Sequence, residues 1–349
     1  MKNTIRSLAA LCALFLFSGS ADSKVLDVAT TLPDYAVIAK AIGGDRVAVS
    51  NIVRGDQDAH FIRPKPSFAN LVRKADVLID TGLDLEMWLP AVIDTSRNPK
   101  VRSGQPGYVS ASYGMKLLEK PQQLSRSEGG LHIYGNPHFT SDPLLMKKAA
   151  ENIANGLIKN DPEGKELYRK NLAAFKDEID RRFFGETLLK LIGSERLCAL
   201  TEEGKLVPFL EKEEYKGEKL TVYLGGWAKK MLPLYGTKIV TYHRNWVYFF
   251  NIFGLKDAGT VEPKPGIPPS VRHVAELINS MKADKVKILL AANYFSRKEV
   301  EDIAQKVGAS AVIVPIYVDG APGVENYFKL VDHWVDSLTD AAVKAGIAK

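Results

Sequence analysis

The stretch Asn136-Pro137-His138-Phe139-Thr140-Ser141-Asp142-Pro143 lies just ahead of the longest helical pattern in the chain, and the rest is organised around it. Each proline ring fixes its own φ and biases the preceding residue toward extended geometry, so a histidine held between two prolines presents an aimed imidazole. Asp142 suits an N-cap and Pro143 the first helical position, so the segment reads as a loop docking onto a helix start. His60 and His243 stand at strand-to-helix junctions far away in sequence. The expectation is that they meet His138 around one metal ion.

Outward from this stretch, short apolar runs alternate with helical patterns. Strands are expected at 25–29, 47–52 and 77–80 and around 107–110, with helices from near Asp34, after a Ser67 cap, and over 83–93. Such alternation indicates βα units and a parallel sheet. Asp142-Pro143 and Asp161-Pro162 open two helices by the same device. The second carries Leu167, Leu172, Phe175, Ile179, Phe183 and Leu188 at helical spacing. Extended to Ile192 it would be a rod of roughly thirty residues, about 45 Å long.

Beyond the rod, strands are expected at 196–200, 238–242, 259–261, 286–291 and 311–316, with helices at 270–282, 298–307 and 326–344. The polar loop 122–130 and the segment 201–236 stand outside this alternation, and 201–236 reads as an added subdomain or flap. The fold class is α/β: two lobes, each with a mostly parallel sheet flanked by helices, joined by one long rigid helix. The expected divisions are a signal peptide at 1–21, an N-terminal lobe at 24–160, a linking helix at 161–192 and a C-terminal lobe at 193–349.

The 349 residues suffice for two domains, and 46% hydrophobic with 25% charged residues is a globular composition. Lys2 and Arg6 precede an apolar run from Leu8 to Phe17 and the small residues Ser18 to Ala21, a secretory signal too short for a membrane span. Cys12 lies inside the apolar run, which argues against a lipid anchor there. Removal of the signal leaves only Cys198, so no intramolecular disulfide is expected, and its apolar run makes it a small buried hydrophobe. The formal charge of +6 is spread along the chain without a basic run interleaved with aromatics, which argues against nucleic-acid binding.

In open α/β sheets ligands bind where strands run into helices. His60, His138 and His243 occupy such places, and Asp319, after the 311–316 strand, is a fourth. Three imidazoles and one carboxylate match the closed four-coordinate shell of zinc, whereas manganese prefers more oxygen. His132 reads as a loop residue with at most a transient part in metal capture, and His273 and His333 as helical surface or packing residues.

The chain also resembles a known family. Gln57-Asp58-Ala59-His60-Phe61 with Pro64 and Pro66, the run from Ala75 through Gly82 to Leu89, and Asn136-Pro137-His138 with Asp142-Pro143 carry the likeness. So do Tyr242-His243 with Tyr248-Phe249, and Tyr317-Val318-Asp319 with Tyr327. These resemble the substrate-binding receptors of bacterial zinc and manganese ABC transporters, often called cluster A-I. The resemblance implies His60, His138, His243 and Asp319 as ligands and Zn2+ as the transported ion, with Mn2+ as the alternative. It further implies an ABC permease partner, a periplasmic, unanchored monomer, and no catalytic activity. Departures are Ala59 for the usual proline, Asn136 for the more frequent aspartate, the 201–236 insertion, and the missing His-rich loop. Against this stand a secreted zinc hydrolase using Asp319 or Glu262 as base, and an adhesin. The first lacks a His-Glu-x-x-His helix or nucleophile elbow, and the second lacks an anchor.

Overall fold

A computed structural model describes residues 25–121, 132–264 and 266–348; the expected signal peptide and the loop 122–130 lie outside them. The first sheet has the order β2-β1-β3-β4, built from β1 (Leu26–Thr30), β2 (Val47–Asn51), β3 (Val77–Asp80) and β4 (Tyr108–Ser110), all parallel. Central β3 is buried along its whole length, as a strand covered by helices on both faces must be. A small antiparallel pair follows, β5 (Glu214–Tyr215) and β6 (Glu218–Lys219). The second sheet, in the order β10-β9-β7-β8, joins β7 (Lys238–Thr241), β8 (Lys256–Thr260), β9 (Ile288–Ala292) and β10 (Ser310–Val314), again parallel. Both sheets of the expected two-lobed α/β architecture are therefore present.

The helix starts repay the residue-level reading unevenly. Asp142 caps the helix Pro143–Asn160 by accepting from the amides of Leu144 and Leu145. Ser270, Ser296 and Asn326 cap their helices in the same way. Asp161 does not: its carboxylate turns to Arg46 and to the Tyr168 hydroxyl, and a 3-10 turn precedes the helix Lys165–Phe184. Ser67 is not a cap either, because the helix Pro66–Lys74 begins one residue earlier. The pattern at 83–93 becomes helix only from Leu89, as Leu89–Ser96.

The expected thirty-residue rod is broken. The helix Lys165–Phe184 ends at Gly185, whose φ of 77° leaves the helical region. There the backbone crosses that of Gly225, and a Cβ on Gly185 would stand 2.7 Å from the Gly225 Cα, so only glycine permits the approach. The Gly225 amide donates to the Phe184 carbonyl and seals the crossing. The expected strand at 196–200 is instead part of the helix Ser194–Glu202, with Leu197 and Thr201 buried four residues apart. Cys198 on that helix is half-buried beside Lys147 and Ser194.

Segment 201–236 is not a free flap. Its helices Leu206–Lys212 and Gly226–Met231 bury Leu206, Leu210, Trp227 and Met231, and Trp227 donates its indole N–H to Asp332 on the closing helix Tyr327–Lys344.

The lobes touch closely at Gly55, in the loop after β2. A Cβ there would stand 2.1 Å from the Val318 carbonyl oxygen and 2.3 Å from the Gly320 nitrogen. Replacing Gly55 by Ala is expected to cost ~1–3 kcal/mol of unfolding free energy by forcing these backbones apart, measurable by urea denaturation.

Candidate metal centre

His60 sits in a 3-10 turn (Ala59–Phe61) that follows the loop after β2. Asp58 caps this turn through the His60 amide, and the Trp88 indole N–H donates to the Ala59 carbonyl at 2.8 Å. His138 comes from the Asn136–Pro137 loop, which the second lobe holds: the Tyr248 hydroxyl donates to the Asn136 carbonyl and that of Tyr327 to the Thr140 carbonyl. Asn136 in turn donates to the Arg244 carbonyl and accepts from the His138 amide. The asparagine thus joins the two lobes beside the site. His243 follows β7 directly, at the carboxyl end of the second sheet.

One nitrogen from each of His60, His138 and His243 lies within 4.8 Å of the other two. The ring centroids are 5.0 Å (His60 to His138), 5.5 Å (His60 to His243) and 5.2 Å (His138 to His243) apart. Asp319 does not join them. It lies on an exposed turn with φ 58°, its amide donating to the Val324 carbonyl, while the adjoining backbone packs flush on Gly55. The turn's backbone docks, while Asp319 itself is an exposed residue.

His132, read from sequence as a loop residue with at most a transient part in metal capture, lies beside His60. His132 is buried at 9% exposure, with its Nε2 3.2 Å from that of His60 and its ring 5.8 Å from the His138 ring. Its Nδ1 meets Asp84 Oδ1 at 2.9 Å. The available signal was Asp84, in the loop after β3 at the same sheet end as His60; only the fold brings it to residue 132.

Three of the four imidazoles are oriented alike. Nδ1 of His60 meets Asp58 at 2.6 Å, Nδ1 of His132 meets Asp84, and Nδ1 of His243 meets Glu262 at 2.7 Å. A carboxylate only accepts, so each Nδ1 carries the proton and each neutral ring leaves its Nε2 lone pair free. Nε2 atoms of His60 and His132 are 3.2 Å apart, and those of His243 and His138 3.3 Å. With both Nδ1 atoms protonated, the neutral His60 and His132 rings set two lone pairs against each other, an arrangement a cation between them relieves, whereas an Nε2–H tautomer of His138 can donate to His243. Zinc–nitrogen bonds of 2.0–2.1 Å at tetrahedral angles give nitrogen–nitrogen edges of about 3.3–3.4 Å. These two edges match that value, and His60, His138 and His243 together can serve one divalent ion from three corners.

Electrostatics agree. Burial pushes the His138 imidazole well below its usual range, aided by the neighbouring histidines. Burial likewise lowers His243, against the opposing pull of Glu262. Burial tends to raise Asp58 and Asp84, but the hydrogen bonds and charges of His60 and His132 prevail, and both carboxyls fall below the ordinary carboxylate range. His138 and His243 are therefore held in the neutral form that binds metal, and Asp58 and Asp84 in the ionised form that orients a ring.

Comparison with known proteins now has a site to bear on. The family model described as the periplasmic zinc-uptake complex component A matches residues 28–182 and 219–341. The chain is 25% identical over 313 residues to the high-affinity zinc uptake system protein ZnuA of Bacillus subtilis, covering 88% of this chain and 84% of that protein. It is 23% identical over 360 residues to the zinc-binding lipoprotein AdcA of Streptococcus pneumoniae serotype 4, where it spans only 62% of the relative's length. A crystal structure of a ZnuA superposes with TM-score 0.67 at 23% identity, covering 91% of this chain and 99% of that one, which speaks for the fold.

His138 and His243 have folded values below the unfolded ~6.5, so their contribution to stability is whole above that pH and is lost as pH falls through the folded values, at up to ~1.4 kcal/mol per pH unit for each ring. Buried Asp34 and Asp142, pushed up to about 8 and about 7, act with the opposite sign. The diagnostic is therefore a difference: in metal-free protein, His138→Gln should lose less stability between pH 7.5 and 5.5 than the unmodified chain, as read by urea unfolding.

Proposed function

Because this chain belongs to the family of periplasmic zinc-uptake complex component A, we propose that it is a periplasmic receptor that captures one zinc ion and delivers it to an ABC permease. The observation that carries the proposal is the convergence of His60, His138 and His243 from both lobes. Nitrogen donors favour zinc over manganese, which prefers oxygen. Manganese is the alternative cargo.

Binding without turnover suits the geometry better than hydrolysis does. A zinc hydrolase keeps an open position for water and a free base beside it. Here Glu262, a base candidate, is engaged in orienting His243. Asp319, the other candidate, is exposed and outside the histidine group. Among the described residues no helix is long and apolar enough to cross a membrane, in keeping with a receptor that meets its permease by docking.

Isothermal titration of metal-free protein with zinc should give one tight site. Replacing His138 by Ala should weaken it by well over the ~10–100-fold that follows loss of an outer-shell partner. Unchanged affinity would remove His138 from the site, and failure of the unmodified chain to bind zinc would remove the function.

A further inference from the structure

The three converging histidines leave one corner of a tetrahedron, and the residue expected to fill it, Asp319, is exposed and outside their group. His132 is the buried imidazole beside the site, next to His60 and outside the 4.8 Å that joins the other three. Its Nε2 stands 3.2 Å from His60 Nε2, close to a tetrahedral edge, and its ring is 5.2 Å from that of His60 and 5.8 Å from that of His138. The hold on this ring is twofold. Asp84 Oδ1 takes the Nδ1–H at 2.9 Å, and Oδ2 takes the amide N–H of the next residue, Ile133, also at 2.9 Å. A carboxylate that fixes both the ring and the adjoining backbone sets the direction of Nε2 as well as its protonation.

Resting on the receptor reading above, we infer that His132 is the fourth donor to the metal, that Asp84 is its positioning residue, and that this fourth imidazole is what sets the site's preference for zinc over manganese. With His132 in place the shell is four nitrogens, a set that suits zinc and leaves manganese without the oxygen donors it prefers. With a carboxylate in that corner the site would move toward manganese. The corner is also the more open one: the side chains of His60 and His132 are 16% and 10% exposed, against 2% for His138 as a whole residue. The deeper pair supplies the floor of the site and His132 its closure.

The test compares His132→Ala, Asp84→Asn and Asp319→Ala in the otherwise intact chain, titrating each metal-free protein with Zn2+ and Mn2+ separately and recording the visible spectrum of the Co2+ adduct. His132→Ala should weaken zinc binding by more than the ~10–100-fold expected for Asp84→Asn, and should narrow the zinc-to-manganese affinity ratio. Its Co2+ bands should shift as water replaces one imidazole in the shell, a change that a purely structural role for His132 would not produce. Asp319→Ala should leave affinity and spectrum as they are. Unaltered zinc affinity and Co2+ spectrum in His132→Ala, or losses found in Asp319→Ala instead, would overturn the inference. His60→Ala and His243→Ala separate the two claims: if they abolish zinc binding while His132→Ala does not, the receptor stands and the fourth donor falls.

Discussion

Three carboxylates, Asp58, Asp84 and Glu262, each hold the Nδ1–H of one histidine and so leave its Nε2 free to bind a metal. The His60 and His132 nitrogens, 3.2 Å apart, repel when both rings are neutral in this tautomer, a cost in the empty protein that a cation between them would relieve. Burial adds to it, because His138 and His243 are kept neutral by the lack of water around them and offer no proton for the metal to displace.

The fold serves this constraint by bringing loops from the carboxyl ends of two parallel sheets face to face. Each lobe supplies an imidazole with its own orienting acid: His60 with Asp58 from the first, His243 with Glu262 from the second. The His138 loop lies between them and is anchored from the second lobe by Tyr248, Tyr327 and the Arg244 carbonyl. Gly55, pressed against the 318–320 backbone, lets the lobes approach closely enough for the donor set to close. Relative movement of the lobes would act directly on the distances among these nitrogens.

Much of this was legible in the sequence. The proline-bracketed His138, the Asp142 cap and the alternation of apolar runs with helical patterns gave the two-lobed α/β fold and the three converging histidines. What was not legible depended on contacts distant in sequence. The helix expected to run to Ile192 stops at Gly185 because the Gly225 backbone crosses there. The apolar run at 196–200 is too short for its period to separate helix from strand, and it is helical. Asp161-Pro162 looks like Asp142-Pro143 but spends its carboxylate on Arg46 and Tyr168. At the site, a shared sheet end suggested Asp319, yet a turn's backbone can dock while the residue itself stays exposed. His132 was undervalued because its partner Asp84 lies 48 residues away. The insertion expected at 201–236 overlaps only in part the stretch 183–218 that the family model leaves unmatched.

The central claim is that one ion is enclosed by imidazole nitrogens drawn from both lobes. X-ray absorption at the zinc edge of the zinc-loaded protein tests it most directly. The account predicts a four-coordinate shell of nitrogen at about 2.0–2.1 Å with the outer-shell pattern of imidazole rings. A shell of six oxygen-rich ligands, or one carrying fewer than three imidazoles, would contradict it.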